Sequence, residues 1–274
     1  MLKPIFAATA LSSFILMAGC SFDLTSNDEK EQKEEQPSSP ETETETDKNN
    51  AEKESAQRQV EVDEAVKPAQ AGLQTLAHPE GIPVLVNKQY SLPEDYKPAD
   101  LIYPKVDFIF QDKIDKRMMR EEAGKALEVM FQAAEKENMH FAGVSAYRSH
   151  QTQIAVFNNY VAKDGEEKAK TYSAMPGTSE HETGLAIDVT THDGACAAQD
   201  CFGDTKEAAW LAEHAHEYGF IIRYPEGKEN ITGYKYEPWH IRYVGVDAAT
   251  EIFETKSTLE EYYNAVPVEA VSDK

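Results

Sequence analysis

The sequence predicts an α+β domain: a small, mostly antiparallel sheet with helices packed on it. Three observations lead there. Composition changes abruptly near residue 70, which leaves one stretch long enough for a single core. Apolar residues then recur at helical spacing in the first half of that stretch. Short alternating runs suited to strands gather in its second half, after the helices have begun.

The ends come first. Residues 1–19 read as an export signal, with Lys3 followed by an apolar stretch from Ile5 to Met17. That stretch is too short for a permanent span of about 20 apolar residues. It ends Leu16-Met17-Ala18-Gly19-Cys20, small residues before a cysteine, the pattern of a bacterial lipobox. Cys20 is therefore the expected lipidation site; a plain secretory signal is the alternative. Residues 20–75 are expected to be a disordered acidic tether. Between Cys20 and Pro68 there are 15 acidic and 6 basic residues, so this segment holds a net −9 of the −22 charge of the 274-residue chain. Such a composition buries too little apolar surface to offset its ordering entropy. It suits a self-repelling leash that lifts a domain off the outer face of a membrane. The acidity argues against nucleic acid as a partner.

Residues 76–264 are the expected folded domain and 265–274 a C-terminal tail. Gly81 to Pro104, rich in Pro and Tyr, reads as extended chain wrapping the domain. A first helix is expected from Lys116 to about Asn138, on the spacing of Met119, Ala123, Ala126, Leu127, Met130, Phe131 and Ala134. Phe141–Tyr147 reads as a strand. Ser149 caps a second helix with Ile154, Phe157, Tyr160 and Val161 on one face. Gly184–Thr190 reads as a strand with Leu185, Ile187 and Val189 on one side, Ala186 and Asp188 on the other. A third helix starts near Asp204, with Glu207 completing a capping box, and stops at Gly219. Phe220–Tyr224 and Pro238–Val244 are the last strands, the latter placing His240 and Arg242 opposite Trp239, Ile241 and Tyr243.

Two clusters carry chemistry: Ser179-Glu-His181-Glu-Thr-Gly184-Leu-Ala186-Ile-Asp188 and Glu237-Pro-Trp239-His240-Ile-Arg242-Tyr243. Two histidines, an aspartate and a spare glutamate are the parts of a catalytic zinc site, with three ligands, an open position and a base. His181, Asp188 and His240 are the candidate ligands of Zn2+, and Gly184 lets the chain turn between the first two. Two neutral imidazoles and one carboxylate leave the bound ion near +1, still a Lewis acid that lowers the pKa of water towards about 7. Glu237 is the natural general base. Glu180 and Glu182 rank lower, because neighbours of a ligand on an extended segment point away from it. Arg148, at a strand-to-helix junction, is placed to bind a carboxylate or an oxyanion. Ser179 can donate to a substrate carboxylate, and Trp239 and Tyr224 are candidates for a pocket wall or the core. His214 and His216 read as structural; His140, His150 and His192 have no obvious partner. Cys196 and Cys201, an even pair in an exported chain, are expected to form a short disulfide rather than a metal site.

Together these clusters resemble the VanY-type D-alanyl-D-alanine carboxypeptidases, zinc peptidases of the hedgehog/DD-peptidase fold. Ser179, His181, Gly184, Ala186 and Asp188, then Glu237, Trp239, His240 and Arg242, match the motif, as does Tyr147-Arg148-Ser149. The resemblance spans roughly residues 83–245. It implies zinc on His181, Asp188 and His240, Glu237 as base, and Arg148 and Ser179 on the substrate, with Gln153 one turn further also within reach. It implies removal of the terminal D-alanine from peptidoglycan stem peptides. The chain is separately expected to act as a monomer. The D,D cut on a pentapeptide stem is favoured, and the L,D cut on a tetrapeptide stem is the alternative. An endopeptidase is less expected. A non-catalytic, zinc-containing wall-binding domain is the alternative of another class; Glu237 stands against it, because a structural site needs no base. The signal, lipobox and leash resemble those of a Gram-positive surface lipoprotein. The Cys196–Cys201 loop lies outside the family pattern and, set beside the site, is expected to narrow the pocket.

Overall fold

The computed structural model describes residues 73–266. The export signal, Cys20 and nearly all of the tether, and most of the tail, lie outside the described residues. Gln74–Thr75 (β1) pairs in parallel with Tyr90–Ser91 (β2), so paired backbone is found upstream of the expected boundary at Leu76. At the other end Ala265 is buried in the core, beyond the expected boundary at Asn264.

Leu101–Ile102 (β3) pairs antiparallel with Met119–Arg120 (β4), and Glu121–Lys136 (α1) follows directly. The first helix thus starts five residues later than its apolar spacing implies. Asp115–Arg117 is a 3₁₀ turn, and the backbone of Met119–Arg120 is committed to β3. From Ala123 on, the expected face is the buried one: Ala123, Leu127, Met130, Phe131 and Ala134. Each larger side chain among these contributes about 1.5–3 kcal/mol by leaving water.

Phe141–Ser145 (β5) opens a four-stranded antiparallel sheet. Its order is β5, then Ala186–Thr191 (β6), then His240–Tyr243 (β8), then Phe220–Ile222 (β7). Phe131 of α1 meets Phe141 of β5 at 5.3 Å between ring centres, and Phe141 meets Trp210 at 5.9 Å, which ties helix, sheet and third helix into one core. The architecture is the predicted α+β arrangement. Most of the expected strand ends shrink by one or two residues, because only the centres of those runs pair; β6 instead extends one residue further, to Thr191.

His150–Asp164 (α2) is capped by Ser149, whose hydroxyl accepts from the Thr152 amide, as expected. Its inner face differs: Gln153 and Phe157 are buried, Ile154 and Val161 are half-buried, and Tyr160 is exposed. A glutamine occupies the interior there because both ends of its amide are satisfied. It donates to the Ala174 carbonyl at 2.6 Å and accepts from Arg148 at 2.7 Å. Glu166–Ala169 (α3) follows α2. Lys206–His214 (α4) is capped not by Asp204 and Glu207 but by Thr205, which accepts from the Ala208 amide at 3.1 Å. Asp204 ends a separate 3₁₀ turn, Asp200–Asp204. A 3₁₀ continuation, Ala215–Tyr218, then reaches the expected stop at Gly219, which is left-handed at φ 81°. Glu229–Thr232 (α5), Val246–Thr255 (α6) and Leu259–Tyr262 (α7) complete the domain.

Register positions the chemistry. Asp188 of β6 sits directly opposite His240 of β8, and opposite Ser145 of β5 across a register shift between Gly143 and Ser145. Directly opposed side chains share a face with Cβ atoms about 4.5–5.5 Å apart.

Candidate active site

His181 reaches this face from a loop. Glu180–Thr183 is a 3₁₀ turn closed by Gly184 in the left-handed region at φ 70°. A Cβ at Gly184 would lie 2.9 Å from the end of the Leu101 side chain, which would have to shift, and the left-handed conformation itself favours glycine. The turn also alters the expectation for Glu180 and Glu182, which was based on an extended segment.

The three candidate ligands converge. His181 Nδ1 lies 2.8 Å from the Ala146 carbonyl, to which it can only donate, so its other nitrogen is left as a lone-pair donor. That Nε2 is 3.4 Å from Asp188 Oδ2. His240 Nδ1 is 2.9 Å from Asp188 Oδ1. The two imidazoles stand nearly perpendicular, at 82°, with ring centres 4.9 Å apart. One donor atom from each residue lies within 4.8 Å of the others, and all three residues are buried. Donors held about 2.0–2.1 Å from a tetrahedral ion sit roughly 3.3 Å from one another. Two nitrogens and one oxygen gathered within 4.8 Å of one another are a donor set that fits a zinc ion.

The electrostatics match. Burial alone would raise the Asp188 carboxyl, but the imidazoles of His181 and His240 outweigh it and hold the group below the usual carboxylate range. Burial pushes His181 down, so it is neutral and ready to bind a metal. Burial opposes protonation of His240 too, but the hydrogen bond to Asp188 and the nearby carboxylate of Glu180 prevail and lift it to about 9. Burial raises Glu237 to about 7, helped by Asp188 and opposed by His240.

A cleft of about 280 Å³ runs over this cluster, with Arg148, Ser179, Glu237 and Trp239 in its walls. Arg148 is held by Gln153 at 2.7 Å and lies 3.5 Å from Ser145 Oγ. Gln153 itself is fully buried; its contacts are with Arg148 and Ala174, not with the cleft. Tyr224 stacks on the His240 ring at 5.1 Å and also faces the cleft. Glu182 is turned away, accepting from the Gly177 amide at 2.8 Å and pairing with His150 at 2.8 Å, the partner that sequence reading did not find. His192 lies 3.4 Å from Asp107.

Cys196 and Cys201 are joined by a disulfide. Ala198, within that loop, forms part of the cleft wall, so the loop borders the site as expected. It is braced by Asp200, which accepts from Lys235 at 2.6 Å, while Lys235 also lies over the Trp239 ring. Lys235 and Tyr234 were missed in the sequence, although both lie within three residues of Glu237. Closing so short a loop restricts the unfolded chain by about 2 kcal/mol. Replacing both cysteines by serine is therefore expected to lower Tm by about 4–8 °C, measured by calorimetry without reductant. The three donors, none of which lies in the loop, should stay in place.

The chain is similar to known proteins. Residues 116–246 match the sequence model of VanY, described as D-alanyl-D-alanine carboxypeptidase. The protein YodJ of Bacillus subtilis (strain 168) is 51% identical over 195 residues, 71% of each chain. Among solved structures, the LdcB LD-carboxypeptidase, described with its molecular basis of peptidoglycan recognition, is 50% identical at a TM-score of 0.69. That match covers 72% of this chain and 92% of LdcB. A mutant of the vancomycin resistance D,D-pentapeptidase VanY, solved in complex with Zn(II), is 32% identical at a TM-score of 0.53, covering 66% of this chain and 97% of that one.

Proposed function

Because this chain belongs to the VanY family of carboxypeptidases acting on peptidoglycan peptides, we propose that it removes the C-terminal D-alanine of a stem peptide with a zinc ion held by His181, Asp188 and His240. The observation that carries this is the convergence of those three donors in one cleft with Glu237. When bound, zinc supplies a Lewis acid for the scissile carbonyl and for the attacking water.

The chain's own residues do the rest. Arg148, with Gln153 fixing its guanidinium, binds the terminal carboxylate of the peptide, and Ser179 donates to the same group. Glu237 takes a proton from water as the new C–O bond forms. It gives that proton to the amine of the departing D-alanine as the C–N bond breaks. Arg148→Ala is expected to lower kcat/KM by about 10–150-fold, chiefly through KM, since charge-assisted hydrogen bonds are worth about 1.5–3 kcal/mol. Steady-state kinetics on a stem peptide checks this.

Zinc has to displace the proton on His240. In the metal-free protein that imidazole is protonated below about 9, so zinc affinity should rise by up to about tenfold per pH unit towards that value and level off above it. Competition against a chelator from pH 6.5 to 9.5 reads this directly, and an affinity flat across the range would contradict it.

The likeness to LdcB, closer than that to VanY in identity and in TM-score, supports the L,D cut over the D,D cut. The D,D cut remains the second reading, on the Zn(II) VanY likeness. The ratio of kcat/KM on tetrapeptide and pentapeptide stems decides between them, and a ratio below one would favour the D,D cut. We further propose that Cys20 is lipidated and that the acidic segment expected over residues 20–75 tethers the enzyme to the outer face of the membrane. Metabolic labelling with a fatty-acid probe, lost in Cys20→Ala, tests that.

A further inference from the structure

We propose that Glu180 is a positioning residue: it orients His240 so that Nδ1, not Nε2, is the nitrogen offered to the metal. The proposal rests on the zinc reading above and goes one shell beyond it. Glu180 has no surface exposure of its side chain, and its two oxygens do different things. Oε1 accepts from Arg223 Nε at 2.8 Å and from Arg242 Nη1 at 2.7 Å. Oε2 has no hydrogen-bond partner and faces His240 Nε2 at 3.6 Å; that nitrogen is also buried without one. Two orphaned polar atoms aimed at each other make a waiting hydrogen bond. It forms when Nδ1 is a lone-pair donor and the ring proton sits on Nε2. Metal-bound histidines almost always donate their second nitrogen in this way, which fixes tautomer and ring orientation.

Glu180 is itself immobilised. Arg223 makes a two-pronged pair with Glu260 at 2.6 and 2.9 Å, and Asn87 donates to Glu260 at 3.1 Å. Arg242 donates to the carbonyls of Val84 at 2.7 Å and Ile82 at 3.1 Å. The wrapping N-terminal segment and the C-terminal helix α7 are thereby connected to one ligand of the site, through a carboxylate that cannot swing away.

Glu180→Gln tests this at constant shape. The two guanidiniums demand an oxygen at the Oε1 position, so the amide nitrogen must face His240 and set donor against donor. Zinc affinity, measured by chelator competition, is expected to fall about 10–100-fold, alongside a lower Tm of the metal-free protein. A purely structural ion pair would lower Tm and leave zinc affinity unchanged, and that result would overturn the proposal. Where the variant does not fold, the wild-type protein decides. In the zinc-loaded full chain, a long-range proton–nitrogen spectrum should show the His240 proton on Nε2, hydrogen-bonded, with none on Nδ1. A proton on Nδ1 with Nε2 on the metal would overturn the assignment. Failure of the wild-type protein to take up zinc would instead remove the zinc reading beneath it.

Discussion

Glu237→Gln is expected to lower kcat by at least about 10²–10⁴-fold, the usual contribution of a general base, while zinc stays bound at one equivalent. The carboxylate lines the cleft beside the donors without being one of them, so the amide leaves the metal site intact but can no longer accept a proton. Burial lifts this carboxyl to about 7 in the metal-free site, and a bound dication draws it down. Since the base must be ionised, kcat/KM should fall as pH drops through an acid limb at or under about pH 7. Retained turnover in Glu237→Gln would sink the assignment. The two other glutamates near His181 offer poor substitutes: Glu180 is clamped by Arg223 and Arg242, and Glu182 is spent on Gly177 and His150. Zinc content and rate, measured on one preparation, separate loss of the base from loss of the metal.

Asp188→Asn should abolish turnover through loss of the metal rather than of the base. Asp188 is the hub of the site, with one oxygen facing each imidazole. Its charge lowers the ion's net charge and holds His240 in place. The amide removes that charge and presents a donor to one of the two rings. The loss of zinc affinity should exceed the roughly 10–100-fold typical of outer-shell changes, and turnover should follow occupancy, returning in part at excess zinc. Zinc bound as tightly as in the parent protein would show that the carboxylate is not a ligand.

How much of this was legible in the sequence follows from the range of the interactions involved. The strands carrying Asp188 and His240 could be read locally, because alternation and β-branching are local signals. Their opposed register was not legible, since it joins positions 52 residues apart. Helix α1 was placed too early because Met119 keeps helical spacing while its backbone belongs to a strand pair; pairing with Leu101–Ile102 overrode local pattern. The burial of Gln153 was not legible for the opposite reason. A face chosen by hydrophobicity cannot anticipate a glutamine whose hydrogen bonds are all met inside. Glu180 was set aside on the assumption of an extended segment, and the 3₁₀ turn ended by Gly184 turns it inward instead. Its partners Arg223, Arg242 and Glu260 come from distant strands and a terminal helix, and no spacing rule links them. The Cys196–Cys201 pair was legible from count and compartment, and its place beside the cleft from proximity to the motif. The bracing by Lys235 required coordinates.

The most direct test of the central claim is release of alanine from defined stem peptides by the zinc-loaded protein, followed by mass spectrometry, with Glu237→Gln and a chelated sample in parallel. The account predicts one alanine released per tetrapeptide stem, faster than from the pentapeptide, and none in either control. No alanine from either stem, with zinc demonstrably bound, would contradict it.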